Sequence, residues 1–464
     1  MREYLWAMVV SRLHFSFGLP HCKNECLIRM SKESQSLTEV LAQLSAEVDR
    51  LALMTYCDEV KKGVETVLNA CPDPAKCNNA QEKIQTFLVR GRAQLLLPAF
   101  IKEAETDLNK ALKLDQANVA TWVALSEAYW RRNALKEAHD ACESALRLDA
   151  KSVAALNQLS RIIRCECGAS DSLTAEQKAE LLAESVAKAK EAVGIDTTNG
   201  ESWLVLALAL LQECMFNGMD MPTAKKALSA FNQAATRVTG NPDVFYNRGV
   251  VLKMFGEYAK AADDFDKAYG MDPKGLPGAR HDAQSCRAII TRAAQLQATK
   301  FAGLNERDFK KNVASRLASQ PSKEGMKFFP LREVLDKPTG AKEARWCAVK
   351  AMEMLGTQTS QPLVYQCIDK DGTQCVILLY RVKPDGLKPN DTLWIPFPPS
   401  TVSISSAEIT VDQTDADGKP TGEKKTFKAD IPIVVLEPST VFVNGGLIPN
   451  KNFTKPQMSS RLFQ

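Results

Sequence analysis

Small and large apolar residues recur through the middle of the chain at a step of 34 positions. The matching triplets are Ala104, Leu108 and Ala111, then Ala138, Cys142 and Ala145. Within each triplet the residues are three or four positions apart, which is the spacing of an amphipathic helix. A helix pair that buries only one face must stack on another pair, so this pattern predicts a solenoid of helix pairs.

The pattern is repeated in four units of the chain, namely residues 85–118, 119–150, 200–235 and 242–273. In each unit a small residue of the first helix is expected to face a small residue of the second. Ser126 with Ala138 is one such pair, and Gly249 with Ala261 is another. Another first helix is predicted from about Val153. The helical pattern then breaks, which predicts insertions at residues 164–177 and 213–222.

Further helices are predicted on both sides of these units. Residues 36–70 have apolar positions at helical spacing, and residues 278–298 predict an amphipathic cap, so the helical domain should span residues 36–300. Residues 1–35 are predicted to be a disordered or misassigned extension with Met30 as a plausible start. The short apolar stretch in that extension is interrupted by Arg12 and His14, unlike a secretion signal.

The periodicity changes in the C-terminal quarter of the chain. Residues 301–340 are polar and irregular and predict a linker. Beyond them, apolar and polar residues alternate in short runs bounded by Gly and Pro, and residues 362–382 read as a hairpin around Gly372. Five or six strands within residues 341–455 predict a small β-barrel of the oligonucleotide/oligosaccharide-binding type, the OB-fold. The predicted fold class is therefore mainly α: a helical solenoid followed by a small β-barrel.

Composition narrows the possible functions. The chain has 464 residues, a net charge of +4 and only four histidines, so bulk charge does not predict a polyanion binder. Its 13 cysteines include no CxxC pair, and its apolar runs are too short to cross a bilayer. No phosphate-binding loop, GxSxG or HExxH motif is present. We therefore expect no enzymatic activity, no metal site, no cofactor and no membrane partner.

Several segments together resemble the tetratricopeptide repeat protein 5 (Strap) family over roughly residues 40–450. They are QLSRIIR, NPDVFYNR, DGTQCVILLYRV, PNDTLWIPFPPS and VFVNGG, in that order. The resemblance implies tetratricopeptide repeats followed by an OB-fold. It also implies an adaptor that reads the N-terminal Met-Arg-Glu motif of nascent tubulin at the ribosome. Such an adaptor recruits a deadenylase adaptor and triggers decay of the tubulin mRNA.

The resemblance leaves a second role open. Members of the family also act as nuclear scaffolds for a stress-responsive acetyltransferase coactivator and its transcription factor, so both cytoplasm and nucleus are expected locations. A chaperone-type clamp for a C-terminal carboxylate is disfavoured, because an acid, Asp243, is expected in the groove.

Two first helices carry the candidate peptide-binding residues. Helical spacing places Arg161 and Arg164 on one side of one helix and Asp243, Tyr246 and Asn247 on one side of another. The resemblance implies that Arg164 takes the glutamate of the peptide, Asp243 its arginine and Asn247 its main chain. The alternative is that both arginines are ordinary solvated residues and that Asp243 caps its helix.

Two surfaces outside the groove are also candidates. Residues 274–316 carry nine basic and three acidic residues, so a ribosomal RNA contact is predicted through Lys300, Arg307, Lys310 and Lys311. A solvated helix face would explain the same charges. Four aromatic residues of the barrel could stack on bases, but core positions explain them equally well, so a protein contact is preferred for the barrel. They are Tyr365, Tyr380, Trp394 and Phe397.

Overall fold

The computed structural model describes residues 36–52, 58–99, 101–170, 172–238, 240–319, 327–336, 345–356, 362–397, 401–414 and 420–454. The predicted extension, residues 1–35, lies outside the described residues. The helices of the N-terminal part are α1 (Leu37–Ala52), α2 (Asp58–Ala70), α3 (Ala80–Leu95), α4 (Lys102–Leu114), α5 (Val119–Arg131), α6 (Leu135–Leu148), α7 (Val153–Ala169), α8 (Ala175–Ile195), α9 (Gly200–Phe216), α10 (Met221–Arg237), α11 (Pro242–Met254), α12 (Tyr258–Met271) and α13 (Pro277–Ala298).

Consecutive helices pack as pairs: α3 with α4, α5 with α6, α7 with α8, α9 with α10 and α11 with α12, with α13 against α12. Each first helix begins after a side chain that accepts a hydrogen bond from the first turn, which satisfies a backbone N–H that would otherwise lack a partner. The capping residues are Asn79, Asn118, Ser152, Asn199 and Asn241. The predicted solenoid of helix pairs is confirmed.

Small residues allow the two helices of a pair to approach closely. A Cβ atom on Gly91 would lie 2.6 Å from Leu108 Cγ, and one on Gly249 would lie 2.9 Å from Phe265 Cε1. Ser126 and Ala138 are fully buried in the pair between α5 and α6. Gly249 therefore packs closely against an aromatic ring, and its predicted neighbour Ala261 is buried in the same cluster.

The two predicted insertions are short turns between long helices. Residues 164–177 are mostly helical, because α7 continues to Ala169 and α8 starts at Ala175 after a capping box formed by Thr174 and Gln177. The second turn lies between α9 and α10, where Gly218 and Met219 have φ angles of 78° and 73°. Neither insertion separates its pair, so the stack runs on through both.

The C-terminal part contains α14 (Glu306–Phe309), a π-helical turn (Lys310–Ala314), α15 (Ser315–Ala318), α16 (Leu331–Asp336), β1 (Lys327–Phe328), β2 (Arg345–Met354), β3 (Leu363–Asp369), β4 (Gln374–Leu379), β5 (Thr392–Phe397), β6 (Thr401–Thr414), β7 (Pro420–Leu436), β8 (Phe442–Val443) and β9 (Gly446–Leu447). The sheet order is β6-β7-β4-β3-β2-β5-β8-β9, with β1 beside β2.

The strand pairing is that of an OB-like domain. Strands β2, β3 and β4 form an antiparallel meander, β5 pairs with β2, and β4 pairs in parallel with β7. The interior is apolar, and its core includes Tyr365 and Phe397. Tyr380 and Trp394 are also buried, so the four aromatic residues do not form an exposed stacking surface. The predicted mainly α fold class with a C-terminal β domain is confirmed.

The barrel is joined to the last two repeats by a common apolar cluster and by hydrogen bonds. The hydroxyl groups of Tyr380 and Ser405 donate to the carbonyl oxygens of Lys253 and Gly256. A bidentate ion pair between Arg292 and Glu353 adds a link from α13 to β2. The barrel is therefore a fixed extension of the solenoid.

Part of the predicted linker, residues 301–340, is folded against the sheet. Phe309, Val313 and Leu317 form one apolar cluster with Ile368 of β3. Lys350 of β2 donates a hydrogen bond to the carbonyl oxygen of Asn312 at 2.8 Å. These helices therefore belong to the C-terminal domain. In the part of the chain that the structure describes, none of the helices combines the length and apolar character needed to cross a bilayer.

Candidate functional site

First helices of neighbouring pairs contact one another along the stack: α3 with α5, α5 with α7, α7 with α9 and α9 with α11. They form the inner layer of the superhelix, so their exposed side chains line its concave groove. The candidate residues lie on α7 and α11, and α9 lies between these two helices. The groove floor is thus built from three first helices.

Helix α7 is held to α9 by polar contacts at three levels. Asn157 donates to the hydroxyl of Ser202 at 2.9 Å, and Gln212 donates to the carbonyl oxygen of Arg164 at 3.4 Å. Between them, Arg161 Nη2 donates to Glu201 Oε1 at 2.6 Å. Burial raises the pKa of Glu201, while the positive charge of Arg161 acts to lower it. Arg161 is therefore already engaged by an acid of the protein.

Arg164 has a different environment from Arg161. Its Nε atom is buried without a hydrogen-bond partner, and its guanidinium forms no ion pair with any described residue. Burial lowers the pKa of Arg164 from 12.5 to about 10, and the nearby charge of Arg161 adds to this effect. The guanidinium still carries its charge at neutral pH. An anion from outside the chain would supply the counter-charge that this cation lacks.

Asp243 is the acidic counterpart on α11. The helix cap is Asn241, whose side chain accepts a hydrogen bond from the Asp243 backbone N–H at 2.8 Å. The carboxylate of Asp243 is therefore not used as the cap, and it forms no ion pair with a described residue. Burial raises its pKa from 3.8 to about 7, and the negative charge of Asp272 contributes. A cation from outside the chain would favour the ionised carboxylate.

Asn247 and Tyr246, one position apart, have different roles. Asn247 donates to the carbonyl oxygen of Asp243 at 2.9 Å, while its own Oδ1 atom is buried without a partner. Tyr246 donates to Asp282 on α13 at 3.2 Å, and its ring lies 5.4 Å from that of Phe265. Asn247 therefore retains an acceptor for a ligand, whereas Tyr246 joins α11 to α12 and α13.

Several further amide and hydroxyl atoms on the first helices are buried without partners in the described structure. They belong to residues that are at most 5% exposed, so these atoms lie beneath the surface of the groove. These atoms are Thr121 Oγ1, Asn157 Oδ1, Gln158 Nε2 and Gln212 Oε1.

Helix α9 lies between α7, which carries Arg164, and α11, which carries Asp243, and it contributes apolar side chains. Leu204, Leu208 and Leu211 occupy the positions in α9 that Asn157, Arg161 and Arg164 occupy in α7, counted from Trp203 and Leu156. Leu208 is partly buried against the main core, and the other two leucines are buried. Leu208 is therefore the partly exposed apolar side chain of this set on the helix between Arg164 of α7 and Asp243 of α11.

The sequence interpretation missed Glu201. This residue lies two positions before Trp203, just as Asp243 lies two positions before Phe245. Because Glu201 and Asp243 hold equivalent positions in their repeats, the sequence could have predicted an acid at this level of the groove. Its partner, Arg161, is 40 positions away, and only the stacking of α7 on α9 joins the two residues.

The predicted ribosome-contact residues are exposed on the segment that joins the two domains. Lys300, Arg307, Lys310 and Lys311 all face solvent. Lys310 forms an exposed ion pair with Glu306 at 2.7 Å, which contributes little in water. No cluster of three potential metal ligands occurs among the residues that the structure describes.

Comparison with known proteins gives the same repeat type. A family model described as Tetratricopeptide repeat matches residues 100–153 and 224–275. These ranges include the units predicted at 119–150 and 242–273, which are thereby confirmed as tetratricopeptide repeats. The chain is 25% identical to Tetratricopeptide repeat protein 5 of Mus musculus over 405 residues, and 25% identical to that of Homo sapiens over 401 residues. Each alignment covers 80% of this chain and 88% of the relative.

Among solved structures, similar chains are the thermophilic TPR protein TTC0263 of Thermus thermophilus and YrrB, described as a TPR protein with an unusual peptide-binding site. TTC0263 is 16% identical, with a TM-score of 0.37, and the match covers 44% of this chain and 98% of that one. YrrB is 21% identical, with a TM-score of 0.30 and coverage of 48% and 97%.

Proposed function

We propose that this chain, a tetratricopeptide-repeat protein similar to Tetratricopeptide repeat protein 5 over four fifths of its length, is a non-enzymatic adaptor that reads an extended peptide in its concave groove. The peptide we propose is the N-terminal Met-Arg-Glu motif of nascent tubulin at the ribosome. Binding then recruits a deadenylase adaptor and leads to decay of the tubulin mRNA. The proposed locations are the cytoplasm and the nucleus.

The observation that carries this proposal is a pair of opposite charges without counter-ions among the residues that the structure describes. Burial shifts the pKa of Arg164 downward and that of Asp243 upward, so in both cases the protein disfavours the charged form. A ligand that brings an acid to Arg164 and a base to Asp243 removes both penalties together. Charge-assisted hydrogen bonds of this kind contribute about 1.5–3 kcal/mol each.

The remaining groove atoms support a ligand in extended conformation. The Oδ1 atom of Asn247, which has no partner among the described residues, can accept a hydrogen bond from a peptide main chain. Leu208 of α9, which is partly exposed, can pack against an apolar side chain of the ligand. The identity of the peptide comes from the family resemblance of QLSRIIR and NPDVFYNR, which include Arg164 and Asp243.

The direct test measures binding of fluorescent Met-Arg-Glu-Ile peptide by anisotropy. Arg164→Ala and Asp243→Ala are each expected to weaken binding at least tenfold, because each removes one charge-assisted contact. Arg147→Ala is the matched control, since Arg147 is an exposed arginine of α6. Unchanged affinity in both groove variants would refute the assigned site.

Ribosome binding requires a separate test. The exposed lysines Lys310 and Lys311 should contact ribosomal RNA, and replacing phosphate contacts reduces both affinity and its dependence on salt. Lys310→Glu with Lys311→Glu should weaken co-sedimentation with ribosomes while leaving peptide binding intact. Equal co-sedimentation of the variant and the wild type over a salt titration would exclude this surface.

A further inference from the structure

Helix α7 presents two arginines one helical turn apart, at positions 161 and 164. Residues at this spacing lie next to each other on one side of a helix. If both guanidinium groups could reach a ligand, the groove would favour a peptide with two neighbouring acidic side chains. The charge of the ligand that binds here thus depends on what each arginine already contacts.

Arg161 is neutralised within the protein. Its Nη2 atom donates to Glu201 Oε1 at 2.6 Å, and its Nη1 atom lies 3.4 Å from the amide oxygen of Gln158. The side chains of Arg161 and Glu201 are only 13% and 15% exposed. A ligand acid approaching Arg161 would therefore also meet the nearby carboxylate of Glu201, which repels it, and displacing Glu201 would leave a buried carboxylate without a partner.

Arg164 lacks such a partner among the described residues, and the leucines of α9 contribute no charge beside it. The Arg161–Glu201 pair is neutral as a unit. At this level of the groove, one positive charge therefore remains for a ligand, although two arginines are present. The carboxylate of Glu201 neutralises the other positive charge.

We propose that Glu201 is a specificity-determining residue: by holding Arg161 in an internal ion pair, it limits the groove to ligands with a single acidic side chain opposite Arg164. This inference rests on the proposed function, because it concerns the same groove. Glu201 acts through Arg161 and needs no contact with the ligand. Its removal creates a second free cation.

The test compares the affinities of a single-acid peptide, Met-Arg-Glu-Ile, and a double-acid peptide, Met-Arg-Glu-Glu. Glu201→Gln keeps a hydrogen-bond acceptor near Arg161 but removes the negative charge. The ratio of the two affinities should shift about tenfold toward the double-acid peptide, as expected for one additional charge-assisted contact. An unchanged ratio would overturn the proposal.

A double variant keeps the proposal testable if Glu201→Gln folds poorly. Arg161→Met with Glu201→Met removes both charges and should show the wild-type preference, because Arg161 does not reach the ligand in the wild type. Loss of binding to the single-acid peptide would mean that Arg161 contacts the ligand, which would overturn the proposal.

Glu127→Gln provides a matched control. Glu127 also pairs with an arginine, Arg131, at 2.6 Å. Arg131 is only 4% exposed and donates a second hydrogen bond to the carbonyl oxygen of Leu97 at 2.7 Å. It therefore stays in place without Glu127, and although the negative charge of Glu127 also acts on the pKa of Glu201, the affinity ratio should change far less than in Glu201→Gln. A shift equal to that of Glu201→Gln would show a general charge effect and would contradict the specific role of Glu201.

The peptide Gly-Glu-Glu-Gly separates failure of this inference from failure of the proposed function. If the wild type binds neither Met-Arg-Glu peptide, the proposed function fails. Glu201→Gln should still bind Gly-Glu-Glu-Gly about tenfold more tightly than the wild type does, because two cations then face two acids. Equal binding by the two proteins would overturn the role of Glu201 independently.

Discussion

Replacing Asp243 with asparagine should stabilise the free protein while weakening its ligand binding. Burial and Asp272 raise the pKa of this carboxyl group from 3.8 to about 7, so the folded protein disfavours the ionised form. Asn has nearly the same shape and carries no charge. Since the carboxylate has no described ion-pair partner, the substitution breaks no internal salt bridge.

The magnitude follows from the pKa shift. A shift of about three units at about 1.4 kcal/mol per unit gives an upper limit of about 4 kcal/mol. The side chain is partly exposed, so solvent screening reduces the expected gain to about 1–2 kcal/mol. At about 2–4 °C per kcal/mol for a domain of this size, the melting temperature should rise by roughly 2–8 °C.

The stabilisation expected from Asp243→Asn depends on pH. A carboxyl group whose folded pKa is raised gives the folded state its full stability below the unfolded pKa near 4, and this stability is lost as pH rises through 7. The gain from Asp243→Asn should therefore be absent at pH 4 and complete at pH 8. Differential scanning fluorimetry at both pH values measures it.

Asp264→Asn is the matched control for this experiment. Asp264 accepts two hydrogen bonds from Arg248, both at 2.7 Å, so its loss should destabilise the protein by about 2 kcal/mol at pH 8. A lower melting temperature for Asp243→Asn at pH 8, or an equal rise at pH 4 and pH 8, would refute the argument that Asp243 is strained by its own charge.

Three further predictions test the groove and its supports. Affinity for Met-Arg-Glu-Ile should be about tenfold weaker at pH 6 than at pH 8, because Asp243 is mostly protonated below its pKa of about 7. In anisotropy titrations, Asp243→Asn should remove the pH dependence that comes from this carboxyl group. Gly256→Ala should lower the free energy of unfolding by about 2 kcal/mol in urea titrations. Gly256 has a φ of 75°, and a Cβ atom there would lie 2.6 Å from Ile433 Cγ2. An unchanged unfolding midpoint would contradict the close docking of the barrel. Asn199→Ala should cost about 1 kcal/mol by removing the cap of α9, and Asn199→Asp, which keeps the acceptor, should restore most of it.

The helix pairs could be predicted from the sequence because the residues that determine each helix lie close together along the chain. The 34-residue step and the apolar spacing within each unit fix the helices, and residues such as Asn118 and Asn199 mark their first turns. Within the predicted insertion at residues 164–177, the turn between the two helices is short, because α7 continues to Ala169 and α8 begins at Ala175. In the structure, Cys167 is buried and keeps the last turn of α7 packed.

The contacts that define the candidate site depend on how the repeats stack. The pairing of Arg161 with Glu201 and the contact of Tyr246 with Asp282 join different helix pairs, so the helical spacing of each residue could not reveal its partner. Repeat position did indicate that Arg164 and Asp243 lie on first helices. That neither has a counter-ion among the described residues became visible only when the neighbouring helices were in place.

Reversing both charges of the groove tests the central claim most directly. Arg164→Glu with Asp243→Lys should bind Met-Glu-Arg-Ile at least tenfold more tightly than Met-Arg-Glu-Ile, whereas the wild type should show the opposite preference. If the double variant retains the wild-type preference, the two residues do not read the ligand, and the account of the groove is contradicted.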